Sequence, residues 1–129
     1  MTDTKACTFC SRLAAGDVGE RLGSAASMLD AFPISRGHTL VIPSRHEGDL
    51  FNLSKDERRE MWELVDVVQA QLEVIYRPDG FNIGVNAGAA AGQTIAHAHI
   101  HVVPRFTGDV GDPRGGVRWV IPEKAKYWA

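Results

Sequence analysis

The most regular hydrophobic pattern in the chain lies between residues 55 and 76. Apolar residues recur there at steps of three and four: Met61, Leu64, Val65, Val68, Leu72 and Ile75. This spacing predicts an amphipathic helix that packs one face against a core. Ser54 and Glu57 form a capping-box pair at its start, and Pro78 follows its end.

Shorter apolar runs predict the remaining elements. They are a helix over 7–16 that ends at Gly16, and strands over 27–29, 38–43, 81–86 and 98–104. An antiparallel sheet carrying one long helix is an α+β arrangement. No repeat or long linker divides the 129 residues. We therefore expect a single domain over 1–129, with a C-terminal tail from about residue 105.

Charge and hydropathy exclude several classes of partner. Fourteen Lys and Arg residues against sixteen Asp and Glu residues give a net charge of −2, so the basic excess typical of nucleic-acid binders is missing. No apolar run approaches the roughly 20 residues that span a bilayer. The polar stretch up to Phe9 has no signal-peptide core, which predicts a cytoplasmic protein. Cys7 and Cys10 are then expected to be thiols or metal ligands, not a disulfide.

Histidine is the residue type that carries the candidate chemistry. Three of the five histidines are His97, His99 and His101, in the run HAHIHVVP. Alternate residues of a strand share a face, so we expect the three imidazoles on one side and Ala98, with the following apolar residues, on the other. Neutral imidazoles can grip an anion and offer a nucleophilic nitrogen. A zinc site that uses two of them is the alternative.

A loop of small residues precedes the histidines. It runs from Asn86 to Thr94 and is composed mostly of glycine and alanine. Small side chains let a ligand approach backbone N–H groups, and Asn86, Gln93 and Thr94 add neutral polar groups. The loop is therefore a candidate phosphate site.

These motifs together resemble the histidine triad (HIT) superfamily. The matching segments extend over nearly the whole chain: CTFC at 7–10, Asp30 before Pro33, GHT at 37–39, IPSRH at 42–46, Asn86, and GQTIAHAHIHVV at 92–103. The resemblance implies a HIT-like fold of about five strands, one long helix and a short N-terminal helix. It also implies a nucleotide-binding hydrolase.

The resemblance assigns roles residue by residue. His99 would attack the α-phosphate of a nucleotide, giving a nucleotidyl-histidine that water converts to a nucleoside monophosphate. His38 would support this nucleophile, and Asp30 would bind the ribose hydroxyls. The remaining residues would contact phosphate: Asn86, Gly92, Gln93, Thr94 and His101.

The resemblance also develops the zinc hypothesis. The C-x2-C spacing of Cys7 and Cys10 lets two thiolates reach one zinc ion. In some bacterial members of the superfamily, positions matching His46 and His97 complete such a site. We therefore hypothesise a structural zinc, not required for the chemistry, held by these four residues. Two buried thiols, with His97 bonded to backbone, are the alternative.

Several choices stay open from the sequence. The substrate, with adenine or another purine as base, is a dinucleoside polyphosphate or a nucleoside phosphoramidate. The C-terminal run from Gly108 is similar to that of bacterial members labelled as diadenosine polyphosphate hydrolases, and Arg114 and Arg118 could meet a longer phosphate chain, so the resemblance favours the former. A phosphorylase or nucleotidyltransferase, or a regulatory module with slow activity, is the alternative. The resemblance implies a homodimer.

Overall fold

The computed structural model describes residues 6–129, which form a five-stranded antiparallel sheet and a long helix. The helices and strands, in chain order, are α1 Thr8–Ala14, β1 Arg21–Leu22, β2 Ala25–Leu29, β3 Thr39–Pro43, α2 Lys55–Tyr76, β4 Gly80–Gly84, β5 Ile100–Arg105 and α3 Pro122–Ala125. The strand order is β1-β2-β3-β5-β4. The predicted α+β fold is confirmed; residues 1–5 of the expected domain lie outside the described part.

Helix α2 has the predicted bounds, and local hydrogen bonds explain where it begins. The Ser54 hydroxyl accepts from the Glu57 N–H at 3.0 Å, and the Glu57 carboxylate accepts from the Ser54 N–H at 2.9 Å, so the capping box is complete. Five of the six predicted stripe residues are buried, but Ile75 is 66% exposed. Tyr76, not Ile75, packs against the core in the last turn. No helix within residues 6–129 is long and apolar enough to cross a membrane.

The sheet has an apolar cluster on each side. One cluster joins α2 to strand residues that include Val41, Ile100 and Val102. The other joins α1, through Cys7 and Phe9, to alternate residues of β2 and β3. The sheet is therefore the middle layer between α2 and α1.

The strand that carries the histidines differs from the prediction. β5 begins at Ile100, and its first residue pairs with Val41 of β3. His97 and His99 thus lie before the strand, where no strand pairing holds their backbone, and the expectation of a continuous strand from residue 98 was wrong. Ala98 and its apolar neighbours do point into the core, as predicted.

Candidate active site and metal site

The turn between β2 and β3 places His38. Gly37 there has a φ of +84°, and a Cβ on it would lie 2.7 Å from the ring of Tyr76, so this tight contact between turn and helix requires glycine. The Ile34 N–H donates to Nδ1 of His38 at 3.2 Å. Because Nδ1 is the acceptor, the proton of the neutral ring is on Nε2.

His38 in turn fixes the proton of His101. His38 Nε2–H donates to His101 Nδ1 at 2.9 Å, so His101 carries its own proton on Nε2. Asp30 Oδ2 lies 3.4 Å from the same nitrogen of His38, and Asp30 Oδ1 accepts from the Phe32 N–H. The Ile34 N–H, His38 and His101 therefore form a directed relay that ends in an N–H donor.

His99 has the opposite tautomer. Its Nδ1–H donates to the backbone carbonyl of His97 at 2.8 Å, so Nε2 keeps its lone pair. The ring is 8% exposed, and its centroid lies 5.0 Å from that of His101. The lone pair of His99 and the N–H donor of His101 are therefore on neighbouring rings.

Burial keeps the two relay histidines neutral. Desolvation lowers the pKa of His38, and the nearby Asp30 carboxylate opposes that shift. Desolvation also lowers the pKa of His101, helped by repulsion from His99 and His38. The assigned tautomers exist only in neutral rings, and the lowered pKa values favour neutral rings for His38 and His101 at pH 7.

The small-residue loop is held by its own hydrogen bonds. The Gln93 side-chain oxygen accepts from the Gly88 N–H, and its NH₂ group donates to the carbonyls of Gly48 and Ile95. The N–H groups of Ala91, Gly92 and Gln93 also donate within the loop. Gln93, which the resemblance assigns to phosphate binding, holds the loop closed with its side chain in the structure.

A large cavity borders His101 and Asn86. Its volume is about 770 Å³, and residues of the C-terminal segment such as Trp119 contribute to its walls. Asp30 and Thr94 lie outside this lining, and Thr94 lines a second cavity of about 580 Å³ beside the loop. The predicted nucleotide residues therefore do not line one common cavity.

The two C-terminal arginines are occupied by neighbours of their own segment. Arg114 pairs with Asp112 at 3.0 Å and lies over the ring of Trp128. Arg118 donates to two backbone carbonyls and lies over the ring of Tyr127. Both arginines thus brace the C-terminal segment in this conformation.

The four predicted metal ligands come together. Their donor atoms, from Cys7, Cys10, His46 and His97, all lie within 4.8 Å of one another. His46 Nδ1 is 3.2 Å from the Cys10 sulfur, and His97 Nδ1 is 3.5 and 3.6 Å from the sulfurs of Cys7 and Cys10.

The chemistry of this donor set fits zinc. The His97 Nε2–H donates to the Pro43 carbonyl at 2.8 Å, which leaves the Nδ1 lone pair facing both sulfurs. Burial and the neighbouring Cys7 raise the pKa of the Cys10 thiol to about 11, so a metal would displace its proton on binding. In a second group, Asp30 with His38 and His101, hydrogen bonds already engage both ring nitrogens of His38 and Nδ1 of His101, so it does not offer such a set.

Phe9 is the site residue that sequence reasoning missed. It is buried, and its ring meets those of His97 and His99 edge-on, with centroids 5.7 and 5.3 Å away. Its position inside the C-x2-C segment was the available signal. The backbone partners, such as the carbonyl of Pro43, leave no signal in the sequence.

Comparison with known proteins shows the family to which the chain belongs. A family model described as HIT domain matches residues 21–108, so the chain belongs to the HIT domain family. It is 35% identical over 106 residues to an uncharacterized HIT-like protein of Mycoplasma genitalium, with 80% of this chain and 75% of that protein covered.

Two further relatives carry names of enzymes. The chain is 36% identical over 87 residues to the asymmetrical bis(5'-nucleosyl)-tetraphosphatase of Schizosaccharomyces pombe, covering 67% of this chain and 48% of that protein. It is 37% identical over 84 residues to an AP-4-A phosphorylase of Mycobacterium tuberculosis, covering 64% and 43%. Some HIT relatives are thus enzymes of dinucleoside polyphosphates.

A solved structure extends the comparison to the metal. A Zn-bound histidine triad family protein from Mycobacterium smegmatis has a TM-score of 0.73 and 31% identity, and the match covers 95% of this chain and 96% of that one.

Proposed function

We propose that this protein hydrolyses nucleotides at the α-phosphate, with His99 as the nucleophile. The observation that carries the proposal is the pair of opposite tautomers. His99 presents a lone pair because its Nδ1–H is bound to the His97 carbonyl, while His101 presents an N–H because its Nδ1 accepts from His38. A nucleophile and a hydrogen-bond donor at 5.0 Å between ring centroids suit attack on a phosphoryl group.

The reaction has two displacement steps. The lone pair of His99 Nε2 forms a bond to phosphorus, the bond to the leaving oxygen or nitrogen breaks, and the leaving group takes that electron pair. A nucleoside polyphosphate leaves as an anion, whereas an amine takes a proton from solvent as it leaves. Water then attacks phosphorus, the N–P bond breaks, its electrons return to Nε2, and the attacking water loses a proton to solvent. The product is a nucleoside monophosphate.

The surrounding residues bind the substrate in this scheme. His101 donates its Nε2–H to a phosphoryl oxygen, with Asn86 as a further donor. His38 maintains the His101 tautomer, and Asp30 accepts from ribose hydroxyls. Gly92 and Thr94 line the path of the phosphates, and the base is adenine or another purine.

The substrate class we favour is the dinucleoside polyphosphates. The tetraphosphatase and phosphorylase relatives support that class, and nucleoside phosphoramidates are the second candidate. A panel of adenosine phosphoramidate, diadenosine triphosphate and diadenosine tetraphosphate, with mass detection of products, tests the proposal. Adenosine monophosphate from any of them supports it. Absence of turnover on all three overturns it and leaves a nucleotide-binding regulatory module.

A phosphorylase is the alternative reaction, favoured by the similarity to the mycobacterial AP-4-A phosphorylase. Phosphate then replaces water as the acceptor, and the product is a nucleoside diphosphate. Repeating the panel with and without orthophosphate separates the two reactions, because only a phosphorylase or nucleotidyltransferase changes its product with the acceptor.

We also propose a structural zinc at Cys7, Cys10, His46 and His97. A zinc ion there would cross-link α1 to the sheet, and its four ligands would leave no position open for catalysis. Metal analysis of purified protein tests this, with one zinc per chain expected and a substoichiometric trace contradicting it.

The proposed assembly is a homodimer in the cytoplasm. The strand β4 is a sheet edge, and α2 exposes Trp62 and Val74. These surfaces would pair across a two-fold axis. Light scattering on purified protein tests the assembly: twice the chain mass is expected, and a monomer would contradict the proposal.

A further inference from the structure

One residue belongs to both the metal site and the active site. The ring of His97 faces the two cysteine sulfurs, and its backbone carbonyl accepts the Nδ1–H of His99. Because both groups are carried by the same Cα, a rotation of His97 about its N–Cα bond moves its side chain and its carbonyl together. The residue that supplies a metal ligand therefore also supplies the carbonyl that gives His99 its reactive tautomer.

The backbone of His97 is held by contacts outside the strand ladder. His97 precedes β5, whose pairing begins at Ile100, so no strand ladder fixes its backbone. The anchors are the His97 Nε2–H bond to Pro43 at 2.8 Å and the bond from the Ala98 N–H to the Glu47 carbonyl at 2.7 Å. The third anchor is the weak contact of Nδ1 with the sulfurs at 3.5 and 3.6 Å.

Helix α1 also contacts the nucleophile directly, through the side chain of Phe9. This residue lies between the two cysteines, and its ring meets the rings of His97 and His99 edge-on. It is 4% exposed and belongs to the apolar cluster under α1. Any ordering of the C-x2-C segment therefore also orders the ring that packs against His99.

We propose that the Cys7, Cys10, His46 and His97 cluster, when it holds zinc, positions the nucleophile. His97 and Phe9 are the positioning residues, one acting through a carbonyl and the other through ring packing. Zinc ligation replaces the weak sulfur contacts with bonds of about 2.0–2.3 Å, which restricts the rotation of His97. The inference rests on the proposed zinc site, and it rests on the proposed hydrolysis only for its kinetic consequence.

The direct test is the tautomer of His99, observed by nitrogen-15 NMR of the imidazoles at about pH 8, where the rings are neutral. In zinc-loaded protein His99 should be the Nδ1–H tautomer. After removal of zinc, or in Cys10→Ser, the His99 signals should shift toward a mixture of tautomers. His38 is the internal control, because its proton is set by the Ile34 N–H and should stay on Nε2. An unchanged His99 tautomer after zinc removal overturns the proposal, as does failure of the protein to bind added zinc.

A second variant keeps the test decisive if zinc removal unfolds the protein. Phe9→Leu retains all four ligands and an apolar side chain, so zinc should remain stoichiometric. We expect kcat to fall about 10- to 100-fold with little change in KM, since a small misplacement of a reacting group is costly in rate. Leu53→Ala is the matched control, because Leu53 lies in the cluster on the α2 side of the sheet. It should lower stability while kcat changes less than about twofold.

The outcomes separate this inference from the proposed function. An unaltered kcat in Phe9→Leu, or an equal fall in Leu53→Ala, overturns the positioning role. A zinc-dependent tautomer shift in a protein without turnover on any nucleotide supports the coupling and refutes the hydrolase.

Discussion

Replacing His38 by phenylalanine should lower kcat/KM without removing the nucleophile. The phenylalanine ring fills a similar volume but cannot donate to His101 Nδ1, which now receives the His38 proton at 2.9 Å. His101 is then free to move its own proton to Nδ1, and the donor facing the phosphate is lost. A hydrogen bond to a charged group contributes about 1.5–3 kcal/mol. With about 1.4 kcal/mol per factor of ten, the expected loss is roughly 10- to 100-fold.

The matched variant is His38→Gln, whose amide NH₂ can reach a position close to that of the imidazole Nε2–H. Steady-state kinetics on the best substrate of the panel should show most of the activity restored. A loss below about twofold in His38→Phe would refute the relay. A loss near that of a nucleophile deletion, about 10⁴-fold or more, would show that His38 does more than hold a tautomer.

Three further predictions concern stability. Leu64→Ala, at a residue 1% exposed, should lower the free energy of unfolding in urea by about 2–5 kcal/mol, and a smaller loss would mean that the core collapses around the cavity. Ser54→Ala should cost about 1 kcal/mol in the same assay by breaking the capping box, whereas no change would show that the cap is replaced by water. Folding lowers the pKa of His38 and His101, so the unfolded chain binds protons more readily. The melting temperature should therefore fall as pH drops below about 6.5, and should fall less in His38→Gln; a flat profile would contradict the pKa directions.

Much of the fold follows from local signals in the sequence. The bounds of α2 were predictable because a capping box and a hydrophobic stripe act within a few residues of the helix itself. Strand β1, Arg21–Leu22, was not predicted, because two residues are too few to show a periodic pattern. The exposure of Ile75 depends on how the last turn of the helix meets the core, which periodicity alone does not contain.

The residues of the candidate site could be predicted from the sequence, but the hydrogen bonds that set their tautomers could not. The spacing of the histidines and the C-x2-C pair, together with the resemblance to the HIT superfamily, predicted side chains that the structure brings together in two groups. The tautomers depend on backbone atoms instead, namely the Ile34 N–H and the His97 carbonyl, and these atoms are the same in every residue type.

The central claim is that His99 forms a covalent bond to the α-phosphorus, and a trapped intermediate tests it most directly. The protein is mixed with the best substrate, quenched within one turnover, and digested for peptide mass spectrometry. We predict a single nucleotidyl group on the peptide that contains His99, with fragmentation placing it on that ring and none in His99→Gly. A nucleotidyl group on another residue, or full turnover in His99→Gly, would contradict the account.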